Sequence, residues 1–151
     1  YFKYFFLKKD KDFNLYTNIT NIDASPSVLA NAGDVHGSVR VFKDTYEASS
    51  LGAGSDITVA RLPKGARVVD IHVKADALGG SVTLAVGDSA DPDRYITATA
   101  MNTGNKLISL SSDGVIGSIG YEIGDVTDIL ITTAGATASG TITSVVYYTV
   151  S

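Results

Sequence analysis

The stretch LPKGARVVDIHVKA, Leu62 to Ala75, joins a small basic loop directly to an alternating run. Its reading decides the fold. A glycine-containing basic loop can cradle a phosphate when a helix follows, because the helix then aims backbone N–H groups at the anion. No helical pattern follows here. Val69, Ile71, Val73 and Ala75 fall on one side of a strand, and Val68, Asp70, His72 and Lys74 on the other. Pro63 fixes φ for a turn, and Gly65 takes the fourth position of a turn that begins at Leu62. The stretch therefore reads as a corner between two strands of a sheet, with Lys64 and Arg67 as exposed charges.

Outward from this corner the same pattern recurs. Ser38 to Ala48 alternates. Asp56 to Leu62 places Ile57, Val59 and Arg61 on one face. Ser81 to Val86 places Val82, Leu84 and Val86 together after the Gly79-Gly80 turn. Arg94 to Ala100, Lys106 to Leu110, Ile116 to Ile123 and Thr127 to Thr133 are further strands. The last, Thr141 to Val150, groups Ile142, Val146, Tyr148 and Val150. Nothing reads as a helix, so a βαβ arrangement is not expected. About nine short strands with frequent turns point to an all-β, antiparallel β-sandwich. A jelly roll fits the count; an immunoglobulin-like order stays open.

Composition supports one folded domain. The 151 residues are 44% hydrophobic and 19% charged, enough apolar material for a core. No cysteine is present, which excludes disulfides, thiolate metal sites and cysteine catalysis. The formal charge of −4 argues against a general nucleic-acid binder. No run approaches the roughly 20 apolar residues of a membrane span. The opening YFKYFFLKKDKD is too short and too interrupted for a signal peptide.

Few residues suggest chemistry. His72 has Asp70 two positions away on one strand face, a spacing that suits an acid–base pair but also an ordinary polar face. His36, the other histidine, sits in a loop. GDSADPDRY, Gly87 to Tyr95, gathers Asp88, Asp91 and Asp93, yet lacks the spacing of an EF-hand and reads equally as turn chemistry. GVIGSIG around Ser118 lacks the nucleophile-elbow spacing. LGAGSD, Leu51 to Asp56, has neither the lysine nor the helix of a phosphate loop. Glu47 and Glu122, the two glutamates, are the material for a glycosidase dyad. No cofactor, no metal site and no catalytic residue is expected.

The first 37 residues differ in character. Residues 1–13 carry Tyr1, Phe2, Tyr4, Phe5, Phe6 and Phe13, with four lysines against two aspartates, so they carry +2 and the remainder −6. Such an exposed aromatic cluster needs cover. It is expected to form an extended N-terminal arm, residues 1–37, ahead of a β-sandwich domain, residues 38–151. Phe2, Tyr4, Phe5, Phe6 and Phe13 are its expected partner-binding residues, since aromatics anchor interfaces. Formation of one more strand of the same core is the alternative.

LPKGAR (Leu62 to Arg67), ADALGGSVTLAVGDSADPDRY (Ala75 to Tyr95) and GYEIGDVTDILITTAGATASG (Gly120 to Gly140) together resemble small virion structural proteins of tailed bacteriophages, the head decoration or cement proteins. The resemblance covers about Gly37 to Val150. It implies a jelly-roll-like sandwich on the outer capsid surface of a virion assembled in the host cytoplasm. It also implies a trimer whose partners are the major capsid protein and itself, with no nucleic acid and no membrane. The alternative is a neck-, tail- or fibre-associated module, structural or binding host carbohydrate, with Tyr95, Tyr147 and Tyr148 as stacking platforms in the latter case. A calcium-dependent lectin or a carbohydrate-active enzyme is the third reading.

Overall fold

A computed structural model describes residues 37–150, and the expected arm residues Phe2, Tyr4, Phe5, Phe6 and Phe13, like His36, lie outside them. Eight strands follow in order: β1 (Arg40–Leu51), β2 (Asp56–Leu62), β3 (Ala66–Ala75), β4 (Thr83–Gly87), β5 (Ile96–Ala100), β6 (Lys106–Ser109), β7 (Thr127–Ala134) and β8 (Ala138–Val150). Between β6 and β7 lie a single helical turn, α1 (Leu110–Asp113), and a 3₁₀ turn (Ile116–Ser118).

The strands form two four-stranded sheets, β1-β8-β3-β6 and β2-β7-β4-β5. Every pairing is antiparallel. The expected all-β antiparallel sandwich is the observed one. β1 pairs with β8, β2 with β7, β3 with β6 and β4 with β5, as in one long hairpin. Contacts of β8 with β3 and of β7 with β4 then roll that hairpin into two layers. Each of the first links, from β1 to β2, from β2 to β3 and from β3 to β4, therefore crosses between the sheets.

The core lies between the layers. Val82, Leu84 and Val86 are fully buried from one sheet, with Ile129 and Ile131 beside them. Ile71, Val73, Ile142 and Val146 face them from the other. Burying each such aliphatic side chain is worth about 1.5–3 kcal/mol. Leu84 and Val86 of β4 and Ile142, Val146 and Tyr148 of β8 are therefore inward as the sequence implies, whereas Val150 is only half-buried beside a buried Thr149.

In β2 and β3 a register shift reverses the faces the sequence implies. β3 carries an irregularity between Val68 and Asp70, where it pairs with β8. Val68 is fully buried and Val69 exposed, so the inward set is Val68, Ile71, Val73 and Ala75. β2 shifts likewise between Thr58 and Ala60. It buries Ile57, Val59, Ala60 and Leu62 and turns Arg61 to solvent, where it meets Asp128 at 2.6 Å. A bulge adds one residue to one strand and reverses the faces beyond it. The strand expected over Ile116 to Ile123 is instead the 3₁₀ turn and one bridge between Glu122 and Arg67.

Candidate interaction surfaces

The corner Leu62 to Arg67 is stitched into the fold. β2 ends in one sheet at Leu62 and β3 begins in the other at Ala66. The turn spans Pro63 to Ala66, one residue later than expected, with the Ala66 N–H donating to the Pro63 carbonyl at 3.1 Å. Gly65 holds the third position at φ +80°, which suits glycine. The Gly65 N–H donates to Ile123 O, and the Ile123 N–H returns to Ala66 O. These N–H groups are occupied within the protein, so the loop has no cradle for a phosphate. Lys64 is exposed, but Arg67 is only part-exposed and pairs with Glu122 at 2.6 Å.

The Gly87 to Tyr95 loop is organised around one carboxylate. Asp88 is buried and accepts from the Ala90 and Asp91 N–H groups, each at 2.9 Å. The Arg94 guanidinium closes on it at 2.6 Å and lies 4.6 Å above the Tyr121 ring. A Cβ at Gly87 would collide with the Asp91 carbonyl, so glycine lets the loop fold back over the strand end. Hydrogen bonding to Asp88 raises the Arg94 pKa. Asp88 is thus a loop-building group. Among the described residues no three acidic or histidine side chains converge as metal ligands. A cleft of about 350 Å³ lies alongside, lined by Asp88, Arg94, Tyr121, Ile123, Asp125 and Thr127 among others.

Asp70 and His72 do meet, with Nε2 at 3.1 Å from Oδ2. Asp70 also accepts from the Ser111 hydroxyl at 2.9 Å, the Ser111 N–H and the Ile71 N–H. Burial works to raise the Asp70 carboxyl. The hydrogen bonds from Ser111, Ile71 and His72 outweigh it and hold the group below its ordinary range. Serine touches the carboxylate, not the imidazole, so no base addresses a nucleophile. The cluster ties β3 to α1.

The other candidates are drawn apart. Ser118 is buried and donates to the Arg94 carbonyl. The LGAGSD loop links β1 to β2, and the buried Thr133 hydroxyl bonds the Gly52 and Ser55 carbonyls across it. Glu47 accepts from Thr141, whereas Glu122 holds Arg67, which sits opposite Thr149. Eight positions of β8 separate Thr141 from Thr149, about 26 Å of strand. Glycosidase carboxylates stand roughly 5–9.5 Å apart, so this pair is no dyad. Of the three proposed stacking tyrosines, Tyr95 is fully buried and Tyr148 nearly so. Their rings belong to the core, a fact that alternation alone did not reveal for Tyr95 because it precedes its strand.

Among the described residues, two exposed surfaces stand out. Val115, Ile116, Ile119, Tyr121 and Val126 are exposed along the segment between α1 and β7, Ile116 at 83%. β1 is exposed on both faces over most of its length. Sequence periodicity could not find either, because it reports which residues alternate and not which face a neighbour covers.

No protein-family model matches the sequence, and no curated protein matches it. Solved structures do. A chain from the cyanophage Pam1 capsid asymmetric unit has a TM-score of 0.63 at 22% identity, over 85% of this chain and 96% of that one. The chain has a fold found in phage capsids. A chain from the capsid of Ralstonia phage GP4 has a TM-score of 0.60 at 19% identity, over 82% and 92% of the two chains. One from the acidic stable capsid structure of Helicobacter pylori bacteriophage KHP30 has 0.56 at 14%, over 76% and 90%. Each likeness spans nearly the whole of the other chain, so it is a likeness of complete domains.

Proposed function

We propose that the protein is a virion structural protein of a bacteriophage, a decoration or cement protein bound to the outer head surface and without enzymatic activity. The observation that carries this reading is the whole-domain likeness to chains from three phage capsids. The strand order, read as the winding of a jelly roll, agrees with it, since that architecture recurs in viral capsid domains. The polar clusters described above each build the fold, and none sets a base against a nucleophile.

Cementing requires no active site. A protein that binds only the assembled shell stabilises it by mass action, and symmetry repeats a weak contact many times. In this reading residues 1–37 form an arm that reaches a neighbouring capsid subunit, with Phe2, Tyr4, Phe5, Phe6 and Phe13 as anchors. The sandwich forms a trimer and faces outward. An acidic exterior keeps the particle soluble.

The test is reconstitution. Purified protein added to heads that lack it should bind in hundreds of copies and raise the temperature at which they release DNA. Phe5→Ala with Phe6→Ala should weaken that binding at least about tenfold. Failure of the intact protein to bind heads would overturn the proposal. Equal binding of the double variant would overturn the anchoring role of the arm.

A further inference from the structure

β1 stands at the end of its sheet, paired on one side with β8 and on the other with no described strand. It has 12 residues, where strands usually run about 5–6. The opposite edge of the same sheet, β6, has only four. Every residue from Arg40 to Glu47 is exposed although each is paired with β8. Val41 is 54% exposed, and Phe42 and Tyr46 are 37% exposed. Phe42 stands opposite Val146 and stacks on Tyr148 at 5.8 Å, so it carries the inner apolar row to the edge.

Long free edges invite pairing, and proteins blunt them with short strands, prolines, bulges or charged side chains, some of them pointing inward. β1 has no proline, and its irregularity comes only after Ala48, near Ser50 at φ +55°. Its charges, Arg40, Lys43, Asp44 and Glu47, deter a chance strand, but being of both signs they can offset one another across a matched pair. Arg40, Lys43 and Asp44 join none of the ion pairs among the described residues.

Two copies of an edge strand that pair antiparallel about a two-fold axis normal to the sheet keep their faces aligned. One residue then faces its own copy. An axis at Lys43 or at Asp44 sets like charges opposite each other, which is destabilising. An axis at Thr45 sets Lys43 against Glu47 twice, but it competes for the Glu47 carboxylate already bonded to Thr141, sets Asp44 against Tyr46 and runs Arg40 into the irregular end at Ser50. An axis at Phe42 sets Phe42 against Phe42, Arg40 against Asp44 twice, and Val39 against Thr45 twice. It also leaves the Glu47–Thr141 hydrogen bond in place.

We infer that β1 is a self-complementary interface. It pairs with β1 of a second copy about a two-fold axis at Phe42 and joins two four-stranded sheets into one of eight strands. Arg40 and Asp44 set the register, and the Phe42 rings close the inner apolar row. This two-fold contact is separate from the three-fold one proposed above and holds wherever the protein acts, because it rests on the strand and not on a capsid.

The full 151-residue chain has no cysteine, so a single introduced one reports one position. Phe42→Cys should cross-link to its own copy on oxidation, since facing cross-strand Cα atoms lie about 4.5–5.5 Å apart, within disulfide reach. Thr45→Cys should not, because its two copies would be about 20 Å apart. In sedimentation, Arg40→Asp should weaken dimerisation at least about tenfold. Adding Asp44→Arg should restore it to within about threefold, with circular dichroism unchanged throughout. Three outcomes would each overturn the inference: a chain that shows no self-association, cross-linking at Thr45 and not Phe42, or a double variant no better than Arg40→Asp. The first is also the result expected if the N-terminal residues or a foreign partner cover the edge.

Discussion

Tyr95 places its ring wholly in the core, and its hydroxyl is buried without a hydrogen-bond partner among the described residues. Burial, and after it the charge of Asp88, pushes its pKa upward, so it stays neutral across the physiological range. A buried donor without a partner costs about 1–3 kcal/mol. Tyr95→Phe should therefore raise the melting temperature by about 2–12 °C; a fall would reveal a partner for the hydroxyl. Asp70 is the opposite case, a carboxylate with several donors and a lowered pKa. A group depressed on folding contributes stability above its unfolded pKa, near 3.8, and loses it as pH falls through the folded value. Asp70→Asn should thus lower the melting temperature by several degrees at pH 7 and by much less near pH 2. Equal losses at both pH values would show that shape rather than charge matters there.

The strands show where sequence patterns suffice and where they stop. In β8 from Ile142 to Tyr148 burial alternates as the sequence pattern implies, and in β4 Leu84 and Val86 are wholly buried as that pattern implies, so these inward residues are legible directly. β2 and β3 each hold a bulge, and a bulge leaves no trace in hydropathy when valines stand on both sides of it, as Val68 and Val69 do. Val68→Ala should cost about 2 kcal/mol in urea denaturation, by lost burial and a residual cavity. Val69→Ala should stay within about 0.5 kcal/mol, as for other exposed positions. Uninterrupted alternation demands the reverse ranking. The 3₁₀ turn at Ile116–Ser118 escaped for a related reason. Its isoleucines resemble a strand, but Ile116 and Ile119 point to solvent, and only a partner or its absence explains that.

At the level of the molecule, the two-layer class followed from strand count, turn frequency and the lack of helical periods. The pairing order did not, because which strands meet depends on contacts far apart in sequence. The aromatic N-terminal run was visible in composition, whereas the free β1 edge required the sheet order. A cryo-electron microscopy map of the particle that carries this protein tests the central claim most directly. The account predicts the sandwich of residues 38–150 on the outer head surface in many symmetry-related copies, with residues 1–37 extended onto a neighbouring subunit. Heads bare of this density, or the protein confined to a few copies at the neck or tail, would contradict it.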